Sequence, residues 1–226
     1  AFKAHEYWSI EAEVAHPSQG FTARLSKLDG KKFVTDSKNL EFTITKGEDA
    51  EAARARIQQA AGGSLHVTDV GAKERKRRPS PPFITSTLQQ EAARKLGFTT
   101  KKTMQVAQKL YEGINIGSEG SVGLISYMRT DSTHLSGEAL EQLRDVIGKE
   151  FGAHNLPKEP NVYKSKSKNA QEAHEAIRPT FALRTPAQIA KFLSEAERRL
   201  YELIWKRAAA CQMIPATHNT ASDDLA

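Results

Sequence analysis

The sequence predicts an α+β fold in which a mainly α-helical domain is inserted into a β-rich arm. Three observations carry this. Residues 1–82 are dominated by short alternating apolar and polar runs. Residues 83–212 carry helical periods with caps at their ends, and a strand-like run resumes within 213–226. Alternation marks half-buried strands and a 3.6-residue apolar period marks amphipathic helices.

In the arm, the runs 7–14 and 21–28 alternate as strands, and Asp29-Gly30 is a hairpin signal leading into Lys31-Lys32-Phe33-Val34. After Phe42-Thr43-Ile44, the segment Glu48–Ala61 is rich in alanine and arginine, carries acids in its first turn and stops at Gly62-Gly63, so it reads as a helix. Leu65–Val70 returns to strand. The basic run Lys73–Arg78 and Pro79-Ser80-Pro81-Pro82 follow as an extended, solvated hinge whose charge could also meet phosphates.

From Phe83 the capping-box pattern Ser86-Thr87-Leu88-Gln89 opens a helix that runs to Leu96. Thr100–Glu112 is a second, with Met104, Ala107, Leu110 and Tyr111 on one face. Gly117–Gly123 reads as a flexible loop. Ser136 caps a helix whose apolar face is Leu140, Leu143, Ile147 and Phe151, and Thr185-Pro186 and Ser194-Glu195 start two more. The last helix buries Leu200, Leu203, Ile204, Ala208 and Cys211 and ends before Pro215. The run Asn161–Lys168 reads as a mobile basic loop.

Length and composition set limits. A chain of 226 residues can bury a substantial core, while 38% hydrophobic and 27% charged residues put much of it in water. No apolar run approaches a membrane span and no signal peptide is visible. The lone Cys211 excludes an internal disulfide and fits a reducing cytoplasm. A net charge of +6 and a pI near 9.3 favour a polyanionic partner such as nucleic acid. Starting at Ala1 and ending on a strand only begun, the chain reads as a piece of a longer one.

Two stretches are dense in chemistry. Leu124–Met128 reads as a brief buried strand, and Arg129-Thr130-Asp131-Ser132 follows it into a loop. A tyrosine at a strand end with an arginine two residues on can attack phosphorus, the phenol as nucleophile and the guanidinium on the phosphoryl oxygens. The plain alternative is a buried tyrosine with a helix cap behind it. In Ala170–Thr180, helical spacing would put Gln171, His174 and Arg178 on one face, where His174 and Arg178 would make a phosphate site. The plain alternative there is a surface turn with an ion pair. A zinc site is rejected, because Arg178 stands where a second histidine is required.

Together, Tyr127-Met128-Arg129-Thr130-Asp131-Ser132 and Glu172-Ala173-His174-Glu175-Ala176-Ile177-Arg178-Pro179 resemble bacterial type IA DNA topoisomerase I. Pro82–Gln90 and Ala107–Gly113 match the same family in order and spacing, and Met128 is closer to topoisomerase I than to topoisomerase III or reverse gyrase. The resemblance implies a tyrosine that cleaves single-stranded DNA through a 5′-phosphotyrosine link, strand passage and resealing without ATP, relaxing negative supercoils. It implies Tyr127 as nucleophile, Arg129 on the scissile phosphate and His174 at the same site, with Thr130, Asp131 and Arg178 as neighbours or DNA contacts. It further implies a cytoplasmic monomer, arch and toprim domains as partners, and magnesium held by the toprim domain. No such acidic cluster occurs in this sequence, so no metal is expected here and the chain alone is expected to be inactive. A DNA-binding helical module with a structural tyrosine is the alternative. A tyrosine recombinase fits poorly, because the arginine and histidine follow the tyrosine instead of preceding it.

Overall fold

The computed structural model describes residues 6–15, 17–32, 43–163 and 174–226. They form two compact units, Ala1–Lys73 with Ala221–Ala226, and Glu74–Thr220. The mixed α+β class expected from the sequence is what the chain adopts.

In the first unit, β1 (Glu11–Val14) pairs antiparallel with β2 (Phe21–Arg24), in a register that sets Glu11 opposite Arg24. Those two side chains form an exposed cross-strand ion pair. β3 (Lys27–Leu28) and β4 (Lys31–Lys32) flank the hairpin turn read from the sequence. Asp29 and Gly30 there have φ of 51° and 75°, the two positive values that a tight type I′ turn requires. Phe33, Val34 and Phe42 lie outside the described residues. α1 (Gly47–Ala61) buries only Ala50 and Ala53 and ends on Gly62 at φ 56°.

β5 (Val67–Arg77) and β8 (Ala216–Leu225) form a two-stranded sheet, and the division between units falls within both strands. This corrects the reading of the basic run: Lys73–Arg77 belongs to a strand, not to a solvated hinge. Charge repulsion does not prevent this, because strand side chains alternate between faces and nearly all of these stay in water. The strand stops before Pro79, which has no N–H to give a ladder. The proline stretch is itself tied down: Arg207 donates to Pro81 O at 3.3 Å, and Pro79 O lies 3.3 Å from the Tyr163 hydroxyl as the longer alternative to Cys211 O at 2.7 Å.

The second unit is built on α2 (Thr85–Leu96), α3 (Thr100–Glu112), α4 (Gly137–Phe151), α5 (Pro186–Ile189) and α6 (Glu195–Cys211). α6 is its spine, with Leu200, Tyr201, Ile204, Ala208 and Cys211 all fully buried. Phe83, Leu88, Leu110, Leu124, Ile147 and Ile177 form one core cluster with Leu200, Tyr201 and Ile204, while Ala208 and Cys211 pack in a second with Leu135, Ala139 and Leu143. α6 begins with the capping box expected at Ser194, whose amide donates to Glu197 Oε2 at 2.9 Å.

Three details depart from the sequence reading. α2 starts at Thr85, and the Ile84 amide donates to Thr87 Oγ1 at 3.0 Å, with no reciprocal bond because isoleucine has no side-chain acceptor; Ser86 is not the cap. Gly117–Gly123 is not a simple loop: β6 (Ile114–Asn115) pairs with β7 (Ser121–Val122) around a 3-10 turn. Burial of Ile116 anchors that hairpin, and Glu119 bonds Arg184. Finally, Asn161 and Tyr163 are held firmly against the end of α6, Asn161 donating to Cys211 O and Met213 O. Lys164–Lys168 lies outside the described residues. Among the described residues no helix is long and apolar enough to cross a membrane.

Candidate functional site

The tyrosine is delivered by an extended segment, not by the strand that the apolar run suggests. Leu124–Met128 makes one isolated bridge, Ile125 with Pro179. The backbone groups that a ladder would use are divided between two partners. Leu124 N–H donates to Leu110 O at the end of α3 at 2.7 Å, while Thr180 N–H donates to Leu124 O at 3.0 Å and Ser126 N–H to Arg178 O at 2.9 Å. Only a glycine permits this approach: a Cβ on Gly123 would stand 2.6 Å from Tyr111 O. The Ser126 hydroxyl then donates to Ala176 O at 2.6 Å and accepts from Arg178 N–H at 2.9 Å. The two chemistry-dense stretches are thus joined at the residue next to the tyrosine.

Beyond Ser126 the chain is irregular, with bends at Met128 and Arg129, and burial alternates along it. Met128, Thr130 and Ser132 are buried, while Tyr127, Arg129 and Asp131 are exposed. Tyr127 keeps 40% of its surface in solvent. Its ring meets Tyr111 edge-on at a centroid distance of 5.3 Å and lies 6.1 Å from the His174 ring. Among the described residues neither the Tyr127 hydroxyl nor the Arg129 guanidinium has a hydrogen-bond or ion-pair partner. Arg129, Asp131 and His174 line an open depression of about 490 Å³ with Thr85 and Ser86. Arg129 also borders a basic groove of about 1070 Å³ along α3, where Lys101, Lys102 and Lys109 stand.

Thr130 faces inward, 8% exposed, and its hydroxyl accepts the Ser132 amide. Arg178 is also a scaffold group. It was expected beside His174 on a helix face, yet His174–Ala176 is irregular and Ile177 bridges Phe83. Pro179 and the long-range pairing of Ile177 and Arg178 exclude a helix, because those amides are already engaged with Phe83 O and Ser126 Oγ. Arg178 instead turns onto Glu175 and the Pro179 carbonyl. Burial alone would push the Glu175 carboxyl up, but hydrogen bonds from Ser136 and Arg178 outweigh it and hold the carboxyl below its ordinary range. Gln171, the third residue expected on that face, lies outside the described residues.

Sequence reasoning missed Tyr111, Ser126, Thr85 and Glu175 as neighbours of the site. Tyr111 was placed in the apolar face of α3; that face is Thr103, Val106, Ala107 and Leu110, and Tyr111 sits at its rim, 40% exposed. Among the described residues no group of three or more His, Cys, Asp or Glu side chains could hold a metal ion. The described residues offer no donor set for magnesium, which the resemblance assigns to another domain, and no step is routed through it.

The arrangement can present a phenol, a guanidinium and an imidazole together to an anionic chain. Comparisons with known proteins bear on the family and not on these residues. A family model described as DNA topoisomerase matches residues 1–225. A DNA topoisomerase 1 of Xylella fastidiosa is 67% identical over 226 residues, covering all of this chain and 27% of that protein. One from Rickettsia bellii is 48% identical over 213 residues, 94% of this chain and 25% of that protein. The structure of full-length topoisomerase I from Thermotoga maritima superposes with a TM-score of 0.64 at 38% identity, over 90% of this chain and 29% of that one. The chain spans little more than a quarter of the relatives it matches. With a family match along its length and the tyrosine, arginine and histidine assembled at one exposed edge, the chain belongs to the bacterial type IA DNA topoisomerase I family.

Proposed function

We propose that this chain is the tyrosine-bearing part of an enzyme that cuts single-stranded DNA, passes a strand through the break and reseals it. The observation that supports this best is the juxtaposition of Tyr127, exposed and with its hydroxyl unsatisfied among the described residues, with Arg129 and His174. A buried structural tyrosine has its hydroxyl bonded; among the described residues nothing bonds this one.

In the cleavage step the Tyr127 oxygen forms a bond to phosphorus, and the bond from phosphorus to the 3′ oxygen breaks. The DNA is left with a 5′-phosphotyrosine link and a 3′-hydroxyl. Arg129 and His174 stabilise charge on the phosphoryl oxygens, and the 3′-hydroxyl reverses the step on resealing, so no ATP is consumed. A free phenol titrates near 10, so deprotonation at neutral pH needs help. Other domains of the working enzyme, arch and toprim, supply the activating groups and hold magnesium. That working protein is a cytoplasmic monomer. Asp131 lies at the rim as a DNA neighbour, while Thr130 and Arg178 act by shaping the segment that carries Tyr127 and Arg129. The α3 groove offers a basic path for the strand leading away from the site.

The test is covalent capture. Labelled single-stranded DNA, magnesium, this chain and a separately made N-terminal domain are mixed, and a covalent band is sought. A band requiring both pieces supports the proposal. In the full-length enzyme, Tyr127→Phe should bind the same DNA and form no adduct; an adduct in that variant sinks the assignment.

A further inference from the structure

The segment that presents Arg129 belongs to no helix or strand from Ser126 to Ser136. Something else must hold it, because a guanidinium free to wander by an ångström is a poor phosphate ligand. The hydrogen bonds on either side of Arg129 converge on one residue. Thr85 N–H donates to Thr130 O at 2.9 Å, and Thr130 N–H donates to Thr85 Oγ1 at 3.0 Å. The same hydroxyl donates its single proton to Met128 O at 2.8 Å, with Thr130 O at 3.1 Å as the longer alternative. Both peptides flanking Arg129 are therefore gripped by a threonine 45 positions away in sequence.

Thr85 can do this because of where it sits. It is the first residue of α2, where backbone amides have no partner within the helix and are free to reach elsewhere. α2 is in turn fixed to the core through Leu88 and Ala92, both fully buried, and through Phe83 just ahead of it. Three consecutive hydroxyls serve three ends here. Thr87 closes the cap of its own helix, Ser86 is exposed at the depression and Thr85 holds the Arg129 segment.

We propose that Thr85 is a positioning residue for Arg129, setting the guanidinium where the phosphate is bound. This rests on the reading of Tyr127 and Arg129 as the DNA-cleaving pair. Removing the hydroxyl leaves the Thr130 amide and the Met128 carbonyl without their partner while keeping the side-chain volume, so the segment loosens and the helix stays.

The experiment uses the full-length enzyme and measures the single-turnover rate of covalent adduct formation at saturating single-stranded DNA, the DNA affinity and the thermal midpoint. Thr85→Val should slow adduct formation on the order of ten- to a hundredfold, as expected for a reacting group displaced by a fraction of an ångström to an ångström. DNA affinity should stay within about twofold, since exposed basic side chains carry most of it. Thr85→Ser keeps both donor and acceptor and should recover the rate to within about threefold.

A purely structural role is separated in two ways. Thr103→Val removes a buried hydroxyl that donates to Thr99 O at 2.9 Å within α3, and it should lower the midpoint without slowing cleavage. In an Arg129→Lys background, Thr85→Val should cost less than about twofold, because residues that act as one unit are not additive. Additive losses, a serine variant as slow as the valine, or a Thr103→Val variant equally slow would each overturn the proposal. The underlying reading fails separately: it falls if Tyr127→Phe still forms adduct, whatever Thr85 does.

Discussion

Tyr127 and Tyr201 are held in opposite ways by the same unit. Tyr201 lies on α6, wholly buried, and its hydroxyl donates to Arg184 O at 2.7 Å. Burial pushes its phenol well above the ordinary value, and nearby Arg184 only partly offsets that. Tyr163 is intermediate: its hydroxyl donates to Cys211 O at 2.7 Å, and burial raises it to about 12. Tyr127 lies on an irregular segment, 40% exposed, with ring contacts to Tyr111 and His174 and no hydroxyl partner among the described residues. A buried, bonded phenol is stabilising and chemically silent. An exposed phenol with an arginine two residues on contributes little to the fold and is available to react. The two regions also differ in what keeps them in place: α6 has its own ladder, whereas the Tyr127 segment depends on hydrogen bonds from α2, α3 and residues 176–180.

The largest expected effect comes from exchanging the roles. In the full-length enzyme Tyr127→Phe should abolish adduct formation and leave the thermal midpoint where it was, because the hydroxyl bonds nothing in this chain's described part. A clear drop in midpoint would mean that Tyr127 is structural after all, and the contrast with Tyr201 would collapse.

Gly123→Ala tests the dependence of the tyrosine segment on its neighbours. The new Cβ would meet the Tyr111 carbonyl oxygen at 2.6 Å, a backbone atom that cannot swing aside. The segment must shift, stretching the bond from Leu124 N–H to Leu110 O. We expect a stability loss of about 1–3 kcal/mol, the range for overpacking, read by urea unfolding. Adduct formation should fall on the order of tenfold or more, since the displaced residues lead directly into Tyr127. A glycine with open space around it, Gly137, is the control: an alanine there should leave adduct formation unchanged.

Tyr201→Phe is the counterpart. It removes one buried hydrogen bond and strands the Arg184 carbonyl, so unfolding should cost about 1–2 kcal/mol less than in the parent, with adduct formation intact. If adduct formation fell with it, the core and the site would be coupled more tightly than the division into helix and irregular segment implies.

What the sequence disclosed follows the same division. Features set by local chemistry were legible: the Asp29-Gly30 turn, the Ser194 capping box, and most of the buried stripe of α6, though Leu203 is only half-buried and Tyr201 and Trp205 join the stripe. Tyr127, Arg129 and His174 were legible as a motif, and the structure places Tyr127 and His174 side by side. What escaped was everything decided by partners far along the chain. The apolar run Leu124–Met128 has the pattern of a strand, but its bonded amides go to two different places, Leu110 O and Arg178 O. The stretch around Arg178 has helical spacing, but Phe83 and Ser126 claim its backbone before a helix can. Thr85 looked like one more hydroxyl at a helix start. Its role exists only because Met128 and Thr130 arrive beside it.

The smallest effect concerns the carboxylate that ties these distant pieces together. Glu175 accepts from the Ser136 amide at 2.6 Å and pairs with Arg178, joining the α4 cap to the segment beside Ser126. Its folded pKa is held below the ordinary 4.5, the bonds from Ser136 and Arg178 outweighing the rise that burial alone would cause. A carboxyl with a depressed folded pKa stabilises the fold while it is ionised in both states. Its contribution is therefore complete above about pH 4.5 and is lost as pH falls through the lower folded value. Glu175→Gln keeps an acceptor for the Ser136 amide but loses the charge opposite Arg178, and should cost about 1–2 kcal/mol at neutral pH, as for one charge-assisted hydrogen bond. The difference between parent and variant, followed by urea unfolding from pH 7 to pH 3, should shrink through the acid range. A difference that persisted undiminished at the acid end would show that Glu175 acts through its shape and not its charge. Because Tyr201 titrates far above this window, it should not contribute to that acid limb.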